Sequence, residues 1–345
     1  MLSNIIYDNF MDFSIQFDTP AVPEQGVVIG FGVFDGVHPG HRLIMSNVSE
    51  MAASCGAVPA AVTFVPHPRA VLPGMEAPEL IISVEERLKQ LRLAGARITG
   101  IIPFTPAFAA LEPESFLQKL REHPGFILKG ICIGEDWRFG SRGKGDAVML
   151  AEYCREHGLL FRAVERLTYQ GENISSSAIR LLAGQGELKK AAALLGRRLS
   201  LTGTVVRGFR IAGKELAAPT ANLQLDHGVI VPDGVYAGSA RISGENFPAV
   251  LNIGVAPTYQ VGERRIEVHL LNFSGDLYDR KLEVKLLEYL RQEQKFPSPA
   301  ALKEQITRDI AQATVIYNKE GNKEEEDDQR TWNRHCGNQP HPAGD

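Results

Sequence analysis

VVIGFGVFDGVHPGHRLIM, residues 27–45, organises the first half of the chain. The apolar run Val27–Ile29 predicts a buried strand that ends at Gly30. Gly30, Gly32 and Gly40 follow in quick succession, and His38 and His41 stand three residues apart. From Leu43 the apolar positions Leu43, Ile44, Val48, Met51 and Ala52 recur at helical spacing, up to Gly56. Strand, tight glycine turn and helix together aim free backbone N–H groups and a positive helix end at an anion. The two imidazoles at that turn can donate to phosphate oxygens as charge develops on them. A nucleotide site is outlined, taking in Gly32, Phe34, Asp35 and Gly40. A bare H-x-x-H would more often be a glycine turn with incidental histidines; the strand–turn–helix context favours the site.

A length of 345 residues suggests two domains. Hydrophobic content of 44% and charged content of 23% describe an ordinary globular protein. A net charge of −4 argues against a nucleic-acid footprint. No apolar run approaches the length of a membrane span, and the N-terminus has no basic region before an apolar one. The four cysteines, Cys55, Cys132, Cys154 and Cys336, form no CxxC pair and read as reduced thiols of a cytoplasmic protein.

Residues 1–25 are weakly patterned. Beyond them, strands at Val58–Phe64, Ile98–Phe104, Phe126–Ile133 and Leu159–Val164 alternate with helices at Val84–Ala94, Pro113–His123 and Ala147–His157. Such alternation predicts an α/β doubly wound parallel sheet, with ligands bound beyond the carboxyl ends of its strands. His67, between two prolines, reads by itself as a solvated turn residue. Asp136, Trp137, Arg138 and Phe139 follow a strand; their aromatic pair suits either a planar ligand or the ordinary core. In ISSSAIR, residues 174–180, Ser175, Ser176 and Ser177 open a helix and offer caps or phosphate donors, with Arg180 on its first turn. The bland alternative there is a plain serine cap with a surface arginine.

Gly184–Gly196 reads as a helical linker, after which the pattern turns to β. Strands at Leu199–Val206, Gly234–Ile242, Pro248–Ile253, Arg265–Phe273 and Leu282–Leu290 suggest a small closed barrel. A helix over Pro299–Tyr317, capped by Ser298, closes it with the stripe Leu302, Ile306, Ile310 and Ala313. PTAN, residues 219–222, offers the Thr220 hydroxyl and Asn222 amide oxygen, hard ligands suited to Mg²⁺ that is also bound to phosphates. Glu267 could accept a proton from an alcohol, although by chemistry alone a solvated strand carboxylate is the commoner case. Gly213 and Lys214 do not form a P-loop, since Glu215 occupies its last position. Residues 319–345 are charged, poor in apolar residues and without period, the composition of a disordered tail.

FDGVHPGH resembles the HxGH signature of the nucleotidyltransferase superfamily. FVPHPR, GEDWRFG and ISSSAIR follow in the order seen in the bifunctional bacterial riboflavin kinase/FMN adenylyltransferase (FAD synthetase) family. PTAN, NIGVAPTY, EVHLLNF and GDLY resemble its kinase domain. The resemblance spans about residues 26–316. It implies an adenylyltransferase domain over 26–185 and a riboflavin kinase barrel over 186–318. It implies ATP as co-substrate with Mg²⁺, and riboflavin, FMN and FAD as ligands. His38, His41, the serines and Arg180 would bind the phosphates of one ATP, with Gly213 and Lys214 near the ATP of the kinase domain. His67 and the Asp136–Phe139 loop would hold the flavin. Thr220 and Asn222 would hold Mg²⁺, and Glu267 would activate the ribityl 5′-hydroxyl.

Trp137 stands where the family usually has Phe, Ser177 where it often has Thr, and Asn272 where it often has Asp. Ala217 and Ala218 replace a usual Gly-Phe. No nucleic-acid or membrane partner is expected, and the chain is expected to be a monomer or weak homo-oligomer. Two other readings stay open: an adenylyltransferase for another phosphate acceptor with a non-catalytic barrel, and a non-catalytic flavin-binding regulator.

Overall fold

A computed structural model of the chain describes residues 13–19, 24–206, 220–225, 227–255 and 264–320. Two compact units emerge, Met1–Pro78 with Val84–Leu167, and Glu79–Ser83 with Thr168–Asp345.

In the first unit the chain runs β1 (Gln16–Phe17), β2 (Val27–Phe31), α1 (Pro39–Ser54), β3 (Val58–Val65) and α2 (Val84–Leu93). It continues through β4 (Ile98–Pro103), α3 (Pro106–Ala109), α4 (Pro113–Arg121), β5 (Leu128–Gly134), α5 (Ala147–Glu156) and β6 (Leu160–Val164). The sheet order is β1-β4-β3-β2-β5-β6. β2 to β6 are parallel, as expected, and β1 adds an antiparallel edge on β4. Every residue of β2 is buried, the mark of a strand covered on both faces. Ile29, Phe31, Ile102, Ile131 and Ile133 form the centre of the core.

From β2 the chain moves to β3 on one side, and from β5 to β6 on the other. The sheet therefore reverses direction between β2 and β5, and ligands of such sheets bind in the crevice outside that point. Two residues are too few for β1 to show a period. Its signal is instead the buried pair Phe13 and Ile15, with Asp18 accepting hydrogen bonds from Arg92 and Thr99.

The second unit holds the hairpin β7 (Thr168–Tyr169) and β8 (Glu172–Asn173), then α6 (Ser176–Gly184) and α7 (Leu188–Leu195). Its strands are β9 (Ser200–Val206), β10 (Thr220–Leu225), β11 (Gly234–Ile242), β12 (Glu245–Val255), β13 (Arg264–Leu270) and β14 (Lys281–Arg291). They close as β10-β13-β12-β11-β14-β9, which leaves no open edge. The sequence predicts five of these strands. β10 is the addition: PTAN looks like a turn, yet Ala221, Leu223 and Leu225 alternate with polar residues.

α8 (Pro299–Glu320) packs Ala313, Ile316 and Tyr317 on Ala237 and Leu287 of the barrel. Ser298 caps it, its hydroxyl accepting from Ala301 N at 3.2 Å. Among the described residues no helix is long and apolar enough to cross a membrane. The tail expected at 319–345 lies outside the described residues from 321 onward.

Cys132 on β5 and Cys154 on α5 are buried and Cys55 is exposed. Burial pushes the Cys132 and Cys154 thiols up to about 12. Since the thiolate is the nucleophile, iodoacetamide at mildly alkaline pH is expected to label Cys55 and spare the other two until denaturant is added. Peptide mass mapping checks this, and labelling of Cys132 at the rate of Cys55 in the native protein would contradict it.

Candidate functional site

At the reversal point, His38 is the N-cap of α1 and Pro39 its first residue. Proline suits that position because the missing N–H would have no helical partner. His38 is 6% exposed, and its ring stacks on that of His41 with centroids 3.7 Å apart. Phe34 sets its ring edge against His41 at 5.2 Å. The loop between β2 and α1 is tightly wound, with Phe34, Gly36 and Val37 all in the left-handed region, at φ 53°, 83° and 43°. For phenylalanine and a β-branched valine such angles cost about 1–3 kcal/mol each, which the surrounding packing must offset. Gly32 leaves room for Phe34: a Cβ there would meet the phenyl ring at 2.9 Å. Asp35 is 1% exposed within the same turn.

Sequence reasoning missed one support of this loop. The Arg87 guanidinium, 1% exposed, donates to Thr63 Oγ1 at 3.2 Å, and Thr63 donates to the Val33 carbonyl at 2.8 Å. In a helix as charged as VEERLKQLRL, nothing local marks Arg87 as the most deeply buried of its charges.

Beside the loop lies a cavity of about 680 Å³, lined by Val33, Phe64, His67, Arg69, Trp137 and Phe139 among others. His67 turns its Nδ1 to accept from Arg69 N at 3.1 Å, capping a short helical turn at Pro68–Ala70. Trp137 lies nearly parallel to Phe139 at 5.0 Å and to Phe31 at 5.7 Å. The ordinary-core alternative for this aromatic pair holds, since both rings join the core, and the same rings also line the cavity. Arg138 lines the cavity too while pairing with Asp146. Asp136 instead pairs with Arg166 at 2.6 Å, and the carboxylate is half-exposed.

In the second unit Ser175 caps α6, its hydroxyl accepting from Ala178 N at 3.2 Å. Ser176, Ser177 and Arg180 lie in the helix. Arg180 Nε donates to the Glu79 carbonyl at 2.7 Å.

The barrel carries a different site. Asn222 on β10, Glu267 on β13 and Asn252 on β12 stand directly opposite one another in a row across three adjacent strands. Glu267 and Asn252 face a cavity of about 390 Å³. Val235, Val250, Leu302, Ile306 and Ile310 form its apolar side. Three of those belong to, or flank, the α8 stripe read from the sequence. Arg291 grips the buried Asp309 of α8, with Nη2 to Oδ2 at 2.7 Å, and lies 5.7 Å over the Phe296 ring. The cavity can thus take a flat apolar group on one side and hydroxyls on the other. Glu293 and Asp309 are lining residues that motif reading missed, while Asn252, the first residue of NIGVAPTY, lines the cavity as the register partner of Glu267. Gly213, Lys214, Ala217 and Ala218 lie outside the described residues.

Two families match the chain in succession. Residues 21–178 match the FAD synthetase family and residues 195–317 the riboflavin kinase family. The chain is 34% identical over 297 residues to the bifunctional riboflavin kinase/FMN adenylyltransferase of Escherichia coli strain K12, covering 86% of this chain and 94% of that one. Against the enzyme of the same description from Bacillus subtilis strain 168 it is 34% identical over 298 residues, covering 84% and 92%. A crystal structure described as a macrolide-efflux protein from Streptococcus pneumoniae superposes with a TM-score of 0.74 at 29% identity, over 85% of this chain and 94% of that one. With both domains matched in order and nearly the whole length of its relatives covered, the chain belongs to the bifunctional riboflavin kinase/FMN adenylyltransferase family.

Proposed function

We propose that the two activities of the family are divided between two sites, one in each unit. The chain phosphorylates riboflavin to FMN with ATP and transfers AMP from a second ATP to FMN, giving FAD and pyrophosphate. The observation that carries the division is a histidine-capped helix at the sheet's reversal point in one unit, against a carboxylate-lined apolar cavity in the other.

In the barrel, Glu267 accepts the proton of the ribityl 5′-hydroxyl as that oxygen attacks the γ-phosphate, with ADP leaving. Asn222 stands opposite Glu267. The Asn222 amide oxygen and the hydroxyl of Thr220, two residues away on the same strand, are hard oxygen donors that would hold Mg²⁺ arriving with ATP. When bound, Mg²⁺ neutralises charge on the phosphates.

In the first unit, His38 and His41 at the positive end of α1 donate to the charge that grows as the FMN phosphate attacks the α-phosphate in line. Gly32, Phe34, Asp35 and Gly40 shape that turn. His67, Asp136, Trp137, Arg138 and Phe139 hold the flavin, with Asp136 paired to Arg166. Ser175, Ser176, Ser177 and Arg180 are further phosphate donors for the same step. The functional boundary proposed, 26–185 and 186–318, runs one helix past the packing boundary, because α6 carries a phosphate motif and packs with α7. A cytoplasmic monomer or weak oligomer without nucleic-acid or membrane partners completes the reading.

Incubation of the chain with riboflavin, ATP and Mg²⁺ is expected to yield FMN and then FAD, resolved by chromatography. FMN alone would remove the adenylyl half of the proposal, and unchanged riboflavin would remove the kinase half.

A further inference from the structure

The Asn252 amide is oriented by a group outside the strands. Its Nδ2 donates to Glu293 Oε1 at 2.9 Å. A carboxylate at Glu293 only accepts, so the nitrogen of the amide, not its oxygen, must face it. The backbone makes room for this approach two residues further along β12: a Cβ added at Gly254 would fall 2.3 Å from both Glu293 oxygens and 2.4 Å from their carbon. Nothing else lies as near that position. Gly254 has no left-handed φ to explain it, so the glycine serves the passage of Glu293. Asn252 is also the register partner of Glu267, and directly opposed side chains on one sheet face lie about 4.5–5.5 Å apart at Cβ. All three side chains line one cavity.

We propose that Glu293 is a positioning residue for riboflavin phosphorylation. By holding one N–H of Asn252 it leaves the other for the Glu267 carboxylate and keeps that base aimed at the ribityl hydroxyl. The base then stands between two amides with separate duties, Asn222 toward the phosphates and Asn252 toward Glu293. This inference rests on the reading of Glu267 as the base.

The test is steady-state phosphorylation of riboflavin by the full chain, with kcat and KM taken separately and FAD formation from supplied FMN as the folding control. Glu293→Ala is expected to lower kcat about tenfold, mid-range for side chains coupled through a hydrogen bond, with little change in the riboflavin KM. Glu293→Gln keeps an acceptor and is expected to recover most of that loss. Gly254→Ala should mimic Glu293→Ala by pushing the carboxylate away, and should cost nothing more once residue 293 is alanine. An unchanged kcat in Glu293→Ala, a pure rise in KM, or multiplying losses in the double variant would each overturn the proposal. Glu267→Gln in the same assay separates the two levels. If it phosphorylates at the parental rate, the reading of the base fails and takes this inference with it. If it is inactive while Glu293→Ala is not impaired, only the positioning role fails.

Discussion

Glu267→Gln is expected to reduce riboflavin phosphorylation by about 100- to 10,000-fold, the usual contribution of a general base. FAD formation from supplied FMN should continue at the parental rate. Glutamine keeps the size of the side chain and its ability to accept a hydrogen bond, and removes only the proton acceptor. Its neighbours Ile266 and Val268 are buried in the barrel, whereas Glu267 faces the cavity, so the substitution leaves the packing of β13 alone. The discriminating measurement is FMN appearance at saturating ATP and riboflavin. Parental kcat in this variant would take Glu267 out of the mechanism.

His41→Ala should have the converse effect, lowering adenylyl transfer to FMN about 100-fold or more while sparing riboflavin phosphorylation. The packing of α1 rests on Ile44, Met45, Val48, Met51 and Ala52, and His41 is not among its buried residues. What the substitution removes is a donor at the helix's positive end and the ring stacked on His38. His38 is a less clean target, because its ring is buried and its loss would also disturb packing at the start of the helix. FAD formation from FMN at the parental rate by His41→Ala would remove the histidine from the step. Equal loss of both activities would report misfolding instead.

The reversal point of the sheet was legible because its determinants are local: an apolar run, glycines in a turn, and a helical stripe. The closing helix was legible for the same reason, as Ser298 and the stripe from Leu302 to Ala313 state their own period. What could not be read depends on partners distant in sequence. β1 exists because Phe13 and Ile15 find the core and Asp18 finds Arg92, contacts that no window of its own residues displays. Arg87 reads as one more surface charge until Thr63 is placed beneath it. β10 hid behind the turn-like chemistry of Pro219 and Asn222, although its alternation was present. Asn252 and Glu293 are 41 positions apart, and only closure of the barrel and the path of the chain after β14 bring them together.

The place of α6 in the second unit also bears on how such a protein can be recombined. Its motif is proposed to serve adenylyl transfer, yet Ile179 and Ala183 are buried in a unit that also contains Leu188, Ala191 and Leu194 of α7. A chimera spliced near Leu167, where the packing divides, would draw Ser175 and Arg180 from the donor of the barrel. A splice after Gly184 would keep the motif with its histidines but set α6 against a foreign α7. On that proposal, either junction would make the first activity inherit something from the second, and the two halves would not be freely exchangeable cassettes. Any change in the α7 surface would have to be matched by α6 for that packing to hold.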